Sequence, residues 1–162
     1  MEGTRPLIAE VQALVAPTAY STPKRMADGI DYNRMCLLLA VLEKRLGLKF
    51  SQCDVYLNVI GGLRIDEPAA DAAIAMALIS SLKDIPVPSE LIVAGEIGLS
   101  GEVRAVSAAE QRAKEAERIG FTRIALPKRS VEKKAPRLTE SQVVPIAGIY
   151  DFAAILAQAQ KS

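Results

Sequence analysis

Four stretches of the chain are predicted to form β-strands, and in two of them, residues 7–15 and 55–59, apolar and polar side chains alternate with the period of two that is typical of a strand. In the clearest stretch, Val55, Leu57 and Val59 alternate with Tyr56 and Asn58 before two glycines interrupt the pattern. The other three stretches are short and rich in branched residues, which is typical of strands. The predicted strands cover residues 7–15, 55–59, 123–126 and 143–146.

Longer segments with apolar residues at helical spacing predict four α-helices. Asp31 can cap the first helix and Gly47 can end it, while Pro68 suits the first turn of the second. Gly120 is expected to end the third helix, and Asp151 is expected to cap the fourth. The predicted helices run over residues 31–46, 68–82, 108–119 and 151–158.

Turn residues divide the rest of the chain. Ser100 and Gly101 separate residues 91–96 from 102–106, which predicts a β-hairpin. Residues 18–26 hold serine, threonine, proline and two adjacent cations and are predicted to form an exposed loop or an irregular hairpin. Strands and helices alternate throughout, which favours an α/β (α+β layered) architecture. With no linker or repeat, the chain is expected to be a single domain over residues 1–162.

Charge and composition exclude several classes of function. Twenty basic and nineteen acidic residues give a net charge of +1, so a site for a polyanion must be a local patch. The absence of histidine removes Ser-His and Cys-His catalysis and most zinc sites, and no metal site is expected. The longest apolar run, residues 36–42, is far shorter than the roughly 20 residues that span a membrane. We expect a cytoplasmic protein in which Cys36 and Cys53 are buried thiols.

Three motifs in a fixed order carry a resemblance to a known family. Residues 66–71 read Asp-Glu-Pro-Ala-Ala-Asp, residues 95–103 read Gly-Glu-Ile-Gly-Leu-Ser-Gly-Glu-Val, and residues 118–121 read Arg-Ile-Gly-Phe. This order resembles the proteolytic domain of Lon-type ATP-dependent proteases. The resemblance implies the fold of that domain, with helices packed on a mixed sheet.

The same resemblance places the two chemical positions of the peptidase on residues that cannot do its chemistry. Aligned without a gap, the serine nucleophile falls on Ala69 and the lysine base falls on Arg112. Alanine carries no nucleophile, and arginine keeps its proton at physiological pH. We therefore expect no catalytic residue. Arg112 is expected to pair with a nearby carboxylate, for which Glu96 and Asp71 are the candidates.

Further segments, residues 1–7, 23–34 and 39–42, resemble the C-terminal Lon-like domain of bacterial RadA (Sms) recombination proteins. The resemblance implies a fragment of a longer parent that also carries a zinc finger and a RecA-like ATPase, with ATP, magnesium and zinc as its cofactors. This chain has neither a phosphate-binding loop nor a Cys-x-x-Cys motif, so no cofactor is expected in it. The implied role is a scaffold that assembles a ring, a hexamer by expectation, and binds DNA in branch migration and repair. A recombinase or a replicative helicase could be a partner through the parent.

Three cations are the candidates for contact with DNA. Lys24 and Arg25 are adjacent on the predicted loop, and Arg64 follows two glycines that permit close backbone approach. Lys24 and Arg64 match basic positions that line the DNA-facing side in the RadA family. Only seven residues are aromatic, so we expect phosphate contacts without sequence preference. The later basic run, residues 128–137, is predicted to be a solvated surface.

Other readings remain open at this point. The chain could be an oligomerisation or peptide-binding module without DNA contact. It could be a serine peptidase with a displaced nucleophile, drawn from Ser80, Ser81 or Ser107, with Lys83 or Lys114 as the base. Ser81 and Lys83 cannot face one another on a helix, which counts against that pair. The Lon-like domain of magnesium-chelatase-type ATPases shares the fold. Asp66, Glu67 and Asp71 are expected to be acidic residues favoured at a helix N-terminus.

Overall fold

A computed structural model of the protein describes residues 6–161, so most of the opening stretch 1–7 lies outside the described residues. The strands, in chain order, are β1 (Val11–Pro17), β2 (Arg25–Asp28), β3 (Cys53–Val59), β4 (Leu91–Val93), β5 (Glu96–Ile97), β6 (Val103–Arg104), β7 (Arg123–Pro127) and β8 (Gln142–Ile146). The helices are α1 (Tyr32–Leu46), α2 (Asp71–Lys83), α3 (Ala109–Ile119), α4 (Lys128–Lys133) and α5 (Tyr150–Lys161). Strands and helices are mixed along the chain, which confirms the α/β prediction.

Two three-stranded sheets and a small hairpin organise these strands. The first sheet has the order β1-β3-β2, in which β1 is antiparallel and β2 parallel to β3. The second sheet has the order β4-β7-β8, and all its strands are parallel. β5 and β6 pair only with each other, as an antiparallel hairpin. Mixed strand directions agree with the sheet that the family resemblance implies.

Capping residues define the first two helices. The Asp31 side chain accepts the Arg34 backbone N–H at 3.0 Å, and Gly47 ends α1 in the left-handed region with φ of 68°. A 3-10 turn over Pro68–Ala70 precedes α2. At this turn the Glu67 side chain accepts the Ala69 backbone N–H at 3.4 Å. These positions confirm the predicted ends of α1 and the role of proline at the start of the second helix.

Four predicted elements differ from the structure. β2 lies inside the segment predicted as a loop, since its ladder is made with β3 about thirty residues later and leaves no local signal. The predicted strand 91–96 is two strands in different sheets, β4 beside β7 and β5 beside β6. The basic run 128–137 begins with the short helix α4. Asp151 lies in the first turn of α5, and its carboxylate accepts the Ala147 and Gly148 N–H groups at 2.7 and 3.2 Å.

The main core lies between the first sheet and the helices α1, α2 and α5. α2 packs against β1, and the Ser81 hydroxyl on α2 accepts the Val15 N–H of β1 at 2.9 Å. Ala72 and Ala75 are fully buried in this layer, which allows the helix to lie close to its neighbours. A smaller apolar cluster joins α3 to the second sheet and consists of Ala113, Ala116, Ile124 and Leu126.

Candidate functional site

The structure brings the two positions Ala69 and Arg112 to the same cleft, of about 610 Å³. Ala69 lies in the 3-10 turn before α2 and is 5% exposed, and its carbonyl accepts the Gly95 N–H at 2.8 Å. Arg112 reaches the cleft from the first turns of α3. The two residues that the family resemblance singles out therefore line one cleft.

Arg112 is held by two acceptors. Its Nε donates to the Ser107 carbonyl at 2.7 Å, and one terminal nitrogen donates to a Glu67 oxygen at 3.3 Å. The side chain of Arg112 is 14% exposed and that of Glu67 is 42% exposed. The predicted partners were wrong, because Glu96 lies 3.9 Å from Arg104 and Asp71 is bound to another arginine. An arginine fixed in this way offers neither a base nor a mobile cation to the cleft.

The displaced serines are engaged in structural contacts. The Ser80 hydroxyl donates to the Ile85 carbonyl at 2.5 Å at the end of α2, and the Ser81 hydroxyl accepts from β1. Neither residue lines the cleft that holds Ala69 and Arg112. Ser107 contributes its carbonyl to Arg112. The Ser80 and Ser81 hydroxyls are therefore used in contacts that stabilise the fold.

Asp71 forms a buried ion pair that sequence reasoning missed. The side chain is 2% exposed and receives two hydrogen bonds from the Arg34 guanidinium, one of them from Nε at 2.8 Å. The Ile97 backbone N–H donates to the same carboxylate at 3.0 Å, and Arg34 donates in turn to the Ile97 carbonyl at 3.3 Å. The hydrogen bonds that Arg34 donates to the Asp71 carboxylate raise the pKa of Arg34. The pair ties α1, α2 and β5 together, and only the position of Asp71 in the first turn of α2 was foreseen.

Lys24 is exposed at the start of β2. Its backbone N–H donates to Asp54 at 2.7 Å, and this bond is the main reason that the pKa of Asp54 is lowered. The ammonium lies 4.5 Å from the centre of the Tyr20 ring, and its interaction with Tyr20 raises the pKa of Lys24. A cation over an aromatic face keeps its charge and remains accessible to an anion from the other side.

Arg25 is oriented differently from Lys24. Its guanidinium donates to the carbonyls of Phe50, at 2.8 Å, of Lys24, at 3.2 Å, and of Cys53. These bonds fasten the start of β2 to the segment before β3. The guanidinium fork of Arg25 is thus turned toward backbone carbonyls of the protein.

Arg64 is exposed at the opposite end of the first sheet. Its side chain is 61% exposed and its Nε lies 3.2 Å from Asp66, in an ion pair that solvent screens. It follows Gly61 and Gly62, whose φ angles of 86° and 70° require glycine. Because β2 runs parallel to β3, Lys24 lies beside the start of β3 and Arg64 follows its end. The four residues of β2 alone span about 13 Å, so the two cations are separate contact points.

The described part of the chain, residues 6–161, holds no group of three or more metal-ligating side chains. Within the same range, no helix is long and apolar enough to cross a membrane. Cys36 and Cys53 are free thiols, and both are half-buried, which is less than the full burial predicted.

With this geometry described, the family of the chain can be assigned. Residues 41–153 match the family described as the Lon protease (S16) C-terminal proteolytic domain. The match covers more than half of the chain, so the protein belongs to this family. It is a member in which Ala69 and Arg112 stand at the positions that the resemblance gives to the nucleophile and the base.

Individual proteins that are similar to this chain are DNA repair proteins. The chain is 54% identical over 127 residues to the DNA repair protein RadA of Synechocystis, covering 78% of this chain and 25% of that protein. It is 54% identical over 128 residues to DNA repair protein RadA of Bacillus subtilis, and 47% identical over 135 residues to that of Escherichia coli. These two matches cover 78% and 83% of this chain, and 28% and 29% of the relatives. The chain therefore spans between a quarter and a third of the length of these relatives.

Proposed function

We propose that this domain has no peptidase activity and serves a DNA repair protein as an assembly and DNA-binding module. One observation carries the proposal: Ala69 and Arg112, at the positions that the family resemblance gives to the nucleophile and the base, line the same cleft. Arg112 is fastened to Glu67 and to the Ser107 carbonyl, and Ala69 has no hydroxyl, so these two positions supply neither the nucleophile nor the base of a serine-lysine peptidase. The relatives are DNA repair proteins, which supports DNA repair as the setting.

The DNA contacts that we propose are sequence-independent and weak in a single chain. Lys24 and Arg64 are exposed, and each can reach a phosphate without breaking a buried interaction. Arg25 supports Lys24 from behind through its bonds to backbone carbonyls. Two contacts fall far short of the six to ten or so that firm non-specific binders make. Repetition around a ring, hexameric in our proposal, would supply the missing contacts through avidity.

We propose that this domain belongs to a longer protein, and that other segments of that protein hydrolyse ATP and drive movement on DNA. ATP hydrolysis with magnesium, and a zinc finger, would belong to segments outside this chain, and the ring would act in recombination and branch migration in the cytoplasm. A recombinase or a replicative helicase would meet the parent rather than this domain alone.

A peptide-binding or purely oligomeric module is the second candidate. Leu63, Ile65, Ile92 and Leu126 line the cleft with apolar side chains, which suits an extended peptide. Under this alternative, exposed cations would have no effect on DNA affinity.

A salt titration separates the two candidates. Binding of a fluorescein-labelled oligothymidylate to the 162-residue chain is followed by anisotropy, with oligomeric state measured by light scattering in the same buffers. Lys24→Ala with Arg64→Ala should weaken binding and flatten the dependence of log affinity on log salt by roughly one to two units. Lys44→Ala with Lys161→Ala removes the same charge from exposed sites elsewhere and serves as the control. Equal salt slopes for the two double variants would contradict the assigned contacts.

A further inference from the structure

Five charged side chains from two separate parts of the chain surround one surface depression of about 490 Å³. The depression lies between the start of α3 and the helix α4. Its charged residues are Glu110, Lys114, Arg129, Lys133 and Lys134. Four cations against one carboxylate leave a formal charge of +3 in this depression, whereas the whole chain carries +1. Positive charge is therefore concentrated here beyond the average of the surface.

Glu110 holds two of the cations in place. The Lys114 ammonium lies 3.3 Å from one of its carboxylate oxygens, and the Lys134 ammonium lies 3.3 Å from the other. One carboxylate thus orients a lysine from α3 and a lysine from the segment after α4 toward the same point. These two lysines also lower the pKa of Glu110, Lys134 having the larger effect, so the carboxylate is charged at neutral pH.

The other two cations have no carboxylate within 4.0 Å among the described residues. Arg129 and Lys133 are exposed, and they are four residues apart on α4, which places them on the same side of the helix. Their neighbour Lys128 lies 3.8 Å from Glu132 and is compensated. Arg129 and Lys133 consequently face the depression with their charge uncompensated.

The lining indicates the kind of partner. Apart from the charged groups, the depression is lined by small or polar side chains: Ala105, Val106, Ala108, Ala109, Gln111 and Ser130. Protein partners gain most of their affinity from large apolar or aromatic anchors in pockets, and this lining offers no such pocket. A phosphate needs only cations and donors, and the guanidinium fork of Arg129 matches its oxygens.

We propose that this depression is a second contact for the phosphodiester backbone of nucleic acid, with Arg129 and Lys133 as phosphate ligands and Glu110 as a built-in competitor. The proposal rests on the proposed DNA-binding function for the identity of the polyanion. It adds a surface that was predicted from the sequence to be merely solvated. Lys114 and Lys134 become available to a phosphate to the extent that it displaces Glu110 from them.

Because Glu110 competes with a phosphate for the lysines, removing its charge should increase the affinity for DNA, and this increase is the sharpest test of the proposal. Glu110→Gln removes one negative charge beside the bound phosphate and should tighten oligothymidylate binding about three- to fivefold, the size of one unit-charge interaction at about 4 Å in water. Glu140→Gln removes the same charge from an exposed position outside the depression and should change affinity little. A residue with only a structural role would not improve binding when it is neutralised.

A loss of DNA affinity is expected for the double variant Arg129→Ala with Lys133→Ala. We expect about tenfold weaker binding at low ionic strength and a salt slope flatter by roughly one to two units. Lys44→Ala with Lys161→Ala is the control, and circular dichroism of each variant checks that the fold is unchanged. Parental affinity and slope in the Arg129 and Lys133 variant would overturn the proposal. Oligoglutamate of equal charge competing as well as oligothymidylate would overturn the phosphate assignment.

The outcomes also separate this proposal from the one for Lys24 and Arg64. Loss of binding only in the Arg129 and Lys133 variant would support the depression and contradict the first pair of contacts. Loss only in the Lys24 and Arg64 variant would do the reverse. No binding of oligothymidylate by the parent chain at any ionic strength would overturn both.

Discussion

Two arginine–carboxylate pairs flank the turn at Pro68, and they do different things. Arg34 and Asp71 are joined by two hydrogen bonds, and Asp71 is 2% exposed. Arg112 and Glu67 share a single contact of 3.3 Å at the edge of the cleft, with Glu67 42% exposed. The first pair connects three elements of the fold, whereas the second lies at the position that the family resemblance gives to the catalytic base. The comparison separates a contact that holds the fold together from one at the edge of the cleft.

The largest effect is expected from breaking the buried pair. Arg34→Ala leaves the Asp71 carboxylate buried with only the Ile97 N–H as a partner, which should cost about 3 kcal/mol in the free energy of unfolding. This is the low end for buried pairs, because the Arg34 side chain is 31% exposed. Urea denaturation measures the change. Arg45→Ala, an exposed arginine on the same helix, is the control, and an equal loss in both variants would contradict the distinction.

Removing the thiols should have a smaller effect. Cys36→Ala and Cys53→Ser each replace a half-buried side chain and should cost on the order of 1–2 kcal/mol. Light scattering and oligothymidylate anisotropy should be unchanged under reducing conditions. A loss of assembly or DNA binding in either variant would indicate a functional thiol.

The pair of Arg112 and Glu67 at the cleft should contribute less to the free energy of unfolding than the buried pair or the thiols. Arg112→Ala is expected to lower the free energy of unfolding by about 1 kcal/mol or less, because Glu67 is 42% exposed and solvent screens the pair. Measured beside Arg34→Ala in urea, it tests the comparison directly. A cost equal to that of Arg34→Ala would show that the cleft pair also holds the fold.

Placing a serine at position 69 and a lysine at position 112 should not produce peptidase activity. Ala69→Ser with Arg112→Lys supplies a nucleophile and an amine, but the amine would lie near Glu67, and a nearby carboxylate favours its charged form. A lysine base needs a lowered pKa. Fluorogenic peptide assays are therefore expected to show no turnover, and a measurable rate would mean that the cleft is better preserved than the contacts of Arg112 indicate.

The Glu117 carboxylate, which backbone N–H groups hold, should stabilise the fold in a pH-dependent way. Glu117 accepts the backbone N–H groups of Thr139, Glu140 and Ser141, which lower its pKa from 4.5 to about 2. A lowered pKa means that its stabilisation is present above about pH 4.5 and is lost as the pH falls toward 2. Glu117→Gln should flatten the decline of Tm over that window. An unchanged decline would show that the segment before β8 docks without this carboxylate.

Local signals account for the parts of the fold that were predicted. Asp31 and Gly47 define α1 because a cap acts within a few residues of the chain. β2 was missed because its only partner in the sheet is β3, and a parallel pairing over that distance leaves no mark in a four-residue segment. The same pairing explains why Lys24 and Arg64 are at opposite ends of the sheet.

The candidate site was predicted in position but not in detail. The family motif placed Ala69 and Arg112 at one cleft, since their spacing follows from the shared fold. The partner of Arg112 was misassigned because three carboxylates are close to the motif in sequence, and only the fold decides that Asp71 faces α1. The basic depression was missed for a similar reason, since Lys114 joins Arg129 and Lys133 only when α3 packs beside α4.

The central claim is that this domain keeps the peptidase fold without its chemistry. The most direct measurement is hydrolysis of casein and fluorogenic peptides by the repurified 162-residue chain, together with labelling by a serine-directed fluorophosphonate. We expect no turnover and no labelling, because Ala69 has no hydroxyl and Arg112 keeps its proton. Hydrolysis that survives repurification and elutes with the chain, or covalent labelling of any serine, would contradict the claim.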